Sequence, residues 1–270
     1  MRGLEVKPGS VLRVRPGSAV LAAAVFLALV PACTATRANG ANASDSRTTS
    51  QPASTAPSSL PPPPSAKSPK PLPAHFKGTV STLPAALAAK MQRTTWHPGC
   101  PVPLSRLRLL TLRYWGFDGR VHEGPMVVNT LVARQVVTVF QALFRARFPF
   151  KTMRLAVRYR PNHDDPNDKR DYTAGFNCRP VLAARGPIDT FSQHSYGWAI
   201  DINPIQNPYV TFDGYVRNKN ARPYRNRSLH RPGMIHPDDR VVRAFASIGW
   251  KWGGYWAGDK DYMHFSLTGR

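Results

Sequence analysis

The sequence predicts an α+β fold with a mainly antiparallel sheet and packed helices. Three observations support this fold class. Some stretches carry apolar residues at helical spacing, and others alternate strictly between apolar and polar residues. Their order along the chain is helix, strand, loop, strand, long loop, helix, strand, and no internal repeat is visible.

The helices are predicted from apolar spacing and from boundary signals. Within 131–148, six apolar residues recur at helical spacing, and Pro149 stops the run. A further helix opens at Pro237 with two aspartates, which the helix dipole favours, and closes at Gly249. His236, directly before that proline, is interpreted as the helix cap. A short helix is expected around 83–91.

Three segments alternate as half-buried strands do. They are 153–160, 198–202 and 263–267. Asp201 in the second segment and His264 in the third lie on the face opposite the apolar one. The stretch between the last two strands contains a long basic loop, 203–233, which we expect to line one wall of a substrate cleft.

The first 33 residues are predicted to be an export signal rather than part of the fold. Four basic residues precede a short apolar run, 19–32, which is shorter than the roughly 20 residues that a spanning helix needs. The segment 30–33 resembles a lipobox, which implies a lipoprotein signal with lipidation at Cys33. Plain secretion and an uncleaved anchor are the alternatives.

Residues 34–75 are rich in Ser, Thr, Pro and Ala and predict a disordered tether. The folded domain is therefore expected to span 76–270. If Cys33 is lipidated, one even pair of cysteines remains in an oxidising compartment, and a Cys100–Cys178 disulfide is expected. Two buried free thiols are the alternative.

The charge of the chain indicates an anionic environment. The sequence carries 37 basic and 15 acidic residues, a formal net charge of +22, and most of the excess lies within 76–270. Such a balance points to nucleic acid, acidic lipid or an acidic polymer. Export and the lack of a nucleic-acid-binding motif argue against nucleic acid. We expect an acidic polymer as a partner and a monomeric protein.

Two histidines and two aspartates carry the candidate chemistry. His194 directly precedes a predicted strand that contains Asp201, and Asp261 stands three residues before His264 in another. Two His and one Asp leave one position of a tetrahedral zinc open for water, and Asp261 is then close enough to act on that water. From the residues alone, a structural role remains open, with Asp201 as the buried partner of an arginine.

The motifs resemble those of the zinc D-alanyl-D-alanine carboxypeptidase and L-alanyl-D-glutamate endopeptidase family, which includes van-type dipeptidases and phage endolysins. The resemblance covers roughly 96–270. It rests on Ser192-x-His194-x-x-Gly197-x-Ala199-x-Asp201, Trp252-Gly253-Gly254-x-Trp256 and Asp261-x-x-His264-Phe265. The family implies one Zn²⁺ per chain on His194, Asp201 and His264, with Asp261 as general base. It also implies a fold shared with the hedgehog signalling domain, with the zinc site on the sheet.

Two further site residues follow from the resemblance. Arg179 matches the segment that supplies an oxyanion-stabilising arginine in relatives, with Arg158 or Arg160 as alternatives. Ser192 is expected to bind substrate or to orient His194. The family's base is often Glu, so Asp261 is a shorter variant.

The expected function is hydrolysis of peptidoglycan stem peptides in cell-wall remodelling. The protein would act at the outer face of the cytoplasmic membrane or in the wall, anchored by a lipid or a signal segment, or else secreted. Whether it is a D,D-carboxypeptidase or an endopeptidase stays open. The alternative is a non-catalytic wall-binding protein that retains the fold.

Overall fold

The computed structural model describes residues 72–157, 169–183 and 186–270. The predicted signal segment, nearly all of the predicted tether, Cys33, Arg158 and Arg160 lie outside these residues. No helix in the described part of the chain has the length and apolar character needed to cross a membrane.

The described residues contain three α-helices and eleven strands, which confirms the α+β class. The helices are α1 (Ala85–Gln92), α2 (Ala133–Arg145) and α3 (Arg240–Ala246). The strands are β1 (Gly78–Thr82), β2 (Leu107–Gly116), β3 (Val121–Asn129), β4 (Pro149–Phe150), β5 (Pro180–Ala183), β6 (Gly186–Phe191), β7 (Ala199–Asp201), β8 (Tyr209–Val210), β9 (Lys251–Trp252), β10 (Lys260–Asp261) and β11 (His264–Ser266). All strand pairings except β2–β4 are antiparallel.

The largest sheet supports the main core. Strand β2 pairs with β1 on one side and with β3 on the other, and β4 joins β2 in parallel. Helix α2 lays its apolar face on this sheet, with Val136, Phe140 and Leu143 at most 1% exposed. Burying side chains of this size stabilises a fold by roughly 1.5–3 kcal/mol each.

A second, three-stranded sheet in the order β7-β11-β9 carries the predicted motifs. Its apolar face belongs to the same core, where Ile200 and Phe265 are fully buried. The opposite face holds the polar residues of the same strands, as period-two alternation requires. Beside this sheet, β8 pairs with β10 and brings Tyr209 opposite Asp261.

The long loop 203–233 is fastened by buried polar groups. The Asn207 side-chain amide donates to Gly233 O at 2.8 Å, and its oxygen accepts from Ile235 N at 2.8 Å. The Arg227 guanidinium donates to the carbonyls of Gln206 and Ile235, and it lies 4.3 Å from the ring centre of Tyr262. Burial lowers the pKa of Arg227 to about 10. These contacts bring the loop against the segment that carries the catalytic candidates.

Three local predictions were wrong or incomplete. The strand expected at 153–160 is reduced, over its described residues, to a single bridge between Met153 and Thr173. The cap of α3 is not His236 but Asp239, whose carboxylate accepts from the first helical N–H groups. Sequence reasoning also missed the β2–β3 hairpin, the longest strand pair of the described residues.

Candidate metal centre

The pairing of β7 with β11 places two of the predicted ligands side by side. His264 and Asp201 are direct partners in the antiparallel register. Residues opposite each other on one face of such a pair have neighbouring side chains. Accordingly, Nδ1 of His264 lies 3.1 Å from Oδ1 of Asp201. Two strands of three residues each are therefore enough to assemble this half of the cluster.

His194 reaches the cluster from a 3-10 turn, Gln193–Tyr196, directly before β7. Ser192 caps this turn by accepting from His194 N at 3.3 Å. The turn ends at Gly197 in a left-handed conformation with φ +68, where a Cβ atom would stand 2.6 Å from Asn129 N. Only glycine fits this close approach without strain. The Ser192 and Gly197 positions thus fix where His194 points.

The three side chains form a compact, nearly buried group. Nε2 of His194 lies 3.1 Å from Oδ2 of Asp201, and one potential ligand atom from each residue lies within 4.8 Å of the others. The side chains of His194 and His264 are 4% and 7% exposed, and that of Asp201 is 22% exposed. The group is closed on the histidine side and accessible on the carboxylate side.

The second nitrogen of each histidine is held by a main-chain oxygen. Nδ1 of His194 contacts Gly175 O at 2.7 Å, and Nε2 of His264 contacts Arg270 O at 3.3 Å. Such an oxygen only accepts, so each of these nitrogens carries a proton. The nitrogens that face Asp201 are then the ones that would bind a metal, which on His264 would replace the hydrogen bond of Nδ1 to Asp201.

The electrostatics of the cluster fit a cation. Burial lowers the pKa of His194, so its Nε2 carries a lone pair towards Asp201, and that buried nitrogen has no hydrogen bond. Burial alone would raise the pKa of Asp201, but the neighbouring histidines outweigh it and lower that pKa. An unpaired lone pair and a carboxylate oxygen thus face each other across 3.1 Å. A bound cation would relieve this contact, and a His₂Asp donor set suits zinc.

Asp261 lies beside this group on β10. Its Oδ1 atom is buried and has no hydrogen-bond partner in the described residues. Burial and the charge of Asp201 raise the pKa of Asp261 to about 7, against the opposing charges of His264 and Arg179. The backbone of Gly253 lies so close that a Cβ there would stand 2.5 Å from Asp261 O. A carboxyl group poised near neutral pH is suited to general base catalysis.

The structure places Arg179 near the cluster. Its N–H donates to Ser195 Oγ at 2.9 Å, and its positive charge acts on the pKa values of both His194 and Asp261. Ser192 is buried and caps the turn that carries His194. The roles of both residues remain predictions.

The segment that carries Arg179 is also held by a disulfide. Cys100 and Cys178 are joined, with their Cα atoms 6.0 Å apart, as the even cysteine pair predicted. His97 lies next to them, with Nε2 3.5 Å from Cys178 Sγ. His97 and the two cysteines have the proximity of a metal site, but the sulfurs are bonded to each other and are not thiolate ligands.

The fold and this cluster define the class: an α+β domain that holds a His₂Asp metal-binding candidate with an adjacent buried carboxyl group. Residues 186–267 match the model of a protein family described as D-alanyl-D-alanine carboxypeptidase. The match confirms the family resemblance over this segment, less than a third of the chain, and indicates a peptidase. It includes His194, Asp201, Asp261 and His264 but not Arg179. No curated protein and no solved structure matches the chain significantly.

Sequence reasoning missed the groups that support the ligands. The carbonyls of Gly175 and Arg270 are main-chain atoms, so no side-chain pattern marks them. Residues 174–179 contact the backbone of both His194 and Asp201. Ala174 forms a β-bridge with Asp201, and Asn177 N donates to His194 O at 3.1 Å. The sequence offered one indication of them. Ser266 stands two residues after His264 on the same strand face, and its hydroxyl donates to Arg270 O.

Proposed function

We propose that the protein is a zinc metallopeptidase that hydrolyses peptide bonds of peptidoglycan stem peptides. One observation carries this proposal: His194, Asp201 and His264 meet in a compact cluster in which Nε2 of His194 has no hydrogen bond, beside the buried carboxyl group of Asp261. The family match over 186–267 supports the peptidase class. The finer assignments, to zinc and to the cell wall, are inferred from the resemblance of the motifs and from the donor set.

Each group of the site has one role in the proposed reaction. Zinc held by the cluster would act as a Lewis acid and lower the pKa of water at the site. Ionised Asp261 takes a proton from the attacking water. Once protonated, it donates that proton to the leaving amine. Arg179, whose charge already acts on the site, stabilises the negative oxygen that develops on the scissile carbonyl.

The surroundings suit an acidic, extended substrate. Strand β8 brings the loop 209–216 alongside Asp261, and Phe212 in this loop is 78% exposed. Stem peptides carry free carboxylates, which a chain of net charge +22 attracts over a distance. The same charge would retain the protein among anionic wall polymers. We infer an exported enzyme, held at the membrane by a lipid on Cys33 or by its signal segment, or secreted.

The test is incubation of the purified protein with defined muropeptides, with products identified by mass spectrometry. Loss of a terminal D-Ala identifies a carboxypeptidase, and cleavage within the stem identifies an endopeptidase. Both activities should disappear with a chelator and return with Zn²⁺. His264→Ala should abolish cleavage, whereas His122→Ala, which removes an exposed histidine paired with Asp118, should not.

Two results contradict the proposal. Cleavage that survives both chelation and His264→Ala would show that the cluster is not the active site. Tight muropeptide binding without cleavage, in the presence of Zn²⁺, would instead identify a non-catalytic wall-binding protein.

A further inference from the structure

The last residues of the chain fold back onto β11 beside the cluster. Ser266 follows His264 on the same face of the strand, because alternate residues of a strand share a face. The main-chain oxygen of Arg270 lies 3.3 Å from Nε2 of His264 and accepts a hydrogen bond from it. The position of one metal-ligand candidate therefore depends on a tail that is not part of any strand.

Ser266 fixes this tail at two points. Its hydroxyl donates to Arg270 O at 2.9 Å, and Oγ of Ser266 accepts from Gly269 N at 3.1 Å. Gly269 has a φ of +86, which bends the chain back towards the strand and favours glycine. The Ser266 side chain is fully buried, so water cannot replace either bond.

A second side chain, that of Trp256, also holds the tail. Trp256 donates from Nε1 to Gly269 O at 2.6 Å. Its ring centre lies 5.6 Å from that of His264, and the Arg270 guanidinium lies 5.6 Å from the indole centre. The tail is thus packed between the ligand histidine and an indole ring.

We propose that Ser266 is a positioning residue for metal binding, acting through the main-chain oxygen of Arg270 on His264. Bonded through its Nε2–H to that oxygen, the imidazole is held with its other nitrogen, Nδ1, towards Asp201, where a metal would bind. Hydrogen bonds of this kind fix the tautomer and the orientation of a metal-ligating ring. The inference rests on the proposed zinc site, and it concerns how that site is held.

Ser266→Ala tests this directly, because it removes the hydroxyl and leaves the strand pairing of β11 to backbone groups. Loss of an outer-shell partner typically weakens metal affinity about 10–100-fold. We expect the Kd for Zn²⁺, measured by competition with a chromophoric chelator, to rise at least about tenfold. Ser247→Ala, which removes a hydroxyl bonded to Ala244 O at 2.7 Å at the far end of α3, is the matched control.

NMR of the Zn²⁺-loaded protein gives a readout that a merely structural role would not move. The His264 Nε2–H, bonded to Arg270 O, should give a proton signal that exchanges slowly with water in the wild type and in Ser247→Ala. In Ser266→Ala, we expect this proton to exchange faster with water or its signal to be lost.

The outcomes separate the inference from the function on which it rests. If the wild type does not bind Zn²⁺, the proposed function fails. If the wild type binds and Ser266→Ala binds within about twofold of it with the same exchange of the His264 Nε2–H, only the positioning role is refuted. Should Ser266→Ala not fold, Ser266→Cys decides: it keeps a side chain of similar size that donates only weakly to Arg270 O, and an unchanged Kd refutes the inference.

Discussion

The disulfide offers a perturbation whose magnitude follows from its place in the chain. Replacing Cys100 and Cys178 together by Ala opens a loop that spans a sequence separation of 78. On the chain-entropy relation, a closed loop of this length stabilises the folded state by about 4–5 kcal/mol. Total stabilities of domains are roughly 5–15 kcal/mol. We therefore expect a metal-free double variant that is folded at 25 °C but has lost a large share of its stability.

The local consequence should be smaller than the global one. Cys178 lies between Asn177 and Arg179, whose N–H groups donate to His194 O and Ser195 Oγ. These bonds, together with the bridge from Ala174 to Asp201, hold the segment without the disulfide. The Zn²⁺ affinity of the folded double variant should therefore stay within about tenfold of the wild type, below the typical upper cost of losing an outer-shell contact.

Urea unfolding followed by tryptophan fluorescence measures the first effect, in chelator to exclude stabilisation by bound metal. Reduced wild type should resemble the double variant, and the double variant should not respond to reductant. A difference below about 1 kcal/mol between oxidised and reduced wild type would refute the loop-entropy argument for this bond.

Three further predictions concern separate parts of the molecule. Asp239→Ala removes the cap of α3 and should cost about 1–2 kcal/mol in urea unfolding, whereas Asp239→Asn should cost less. Phe212→Ala should raise KM for muropeptides and leave the Zn²⁺ Kd unchanged, because the side chain is exposed and its backbone is held by Asp259; an unchanged KM would exclude this loop from the cleft. The pKa of Asp261, raised to about 7 in the metal-free protein, will be lower with a cation bound, so kcat/KM should fall as the pH drops through that lower pKa. Asp261→Glu should keep such a profile, while an Asp261→Asn variant that keeps full activity would contradict its role as the base.

The candidate site was largely predictable because it depends on local alternation. In β7 and β11 the buried residues Ile200 and Phe265 alternate with the polar ones, so Asp201 and His264 had to lie on the opposite face. That face carries the ligands in the structure. Strands of three residues were thus easier to interpret than longer ones, since in each the large apolar side chain lies on one face only.

The β2–β3 hairpin escaped prediction for the opposite reason. Strand β2 packs apolar residues on both faces: Leu107 belongs to one core cluster, and Leu110 and Leu112 belong to another. A strand buried on both sides loses the alternation that marks a half-buried one. The alternation of segment 153–160 misled in turn, because of its described apolar residues only Met153 is fully buried, Leu155 is half-buried against the second core cluster, and Val157 is exposed.

The role of Asp201 follows from its position between the two histidines. The described ion-pair contacts of this carboxylate, each 3.1 Å, are to His194 and His264, so the sequence alternative of an arginine partner finds no support among them. Asp201→Asn keeps the shape and removes the charge. If the carboxylate is a ligand, the Zn²⁺ Kd should rise by more than the roughly 100-fold upper cost of an outer-shell change. Asp189→Asn, an exposed change of equal charge, should leave it unaltered. Equal Kd values for the two variants would mean that Asp201 contributes nothing to metal binding, and the donor set would then lack its one anionic member.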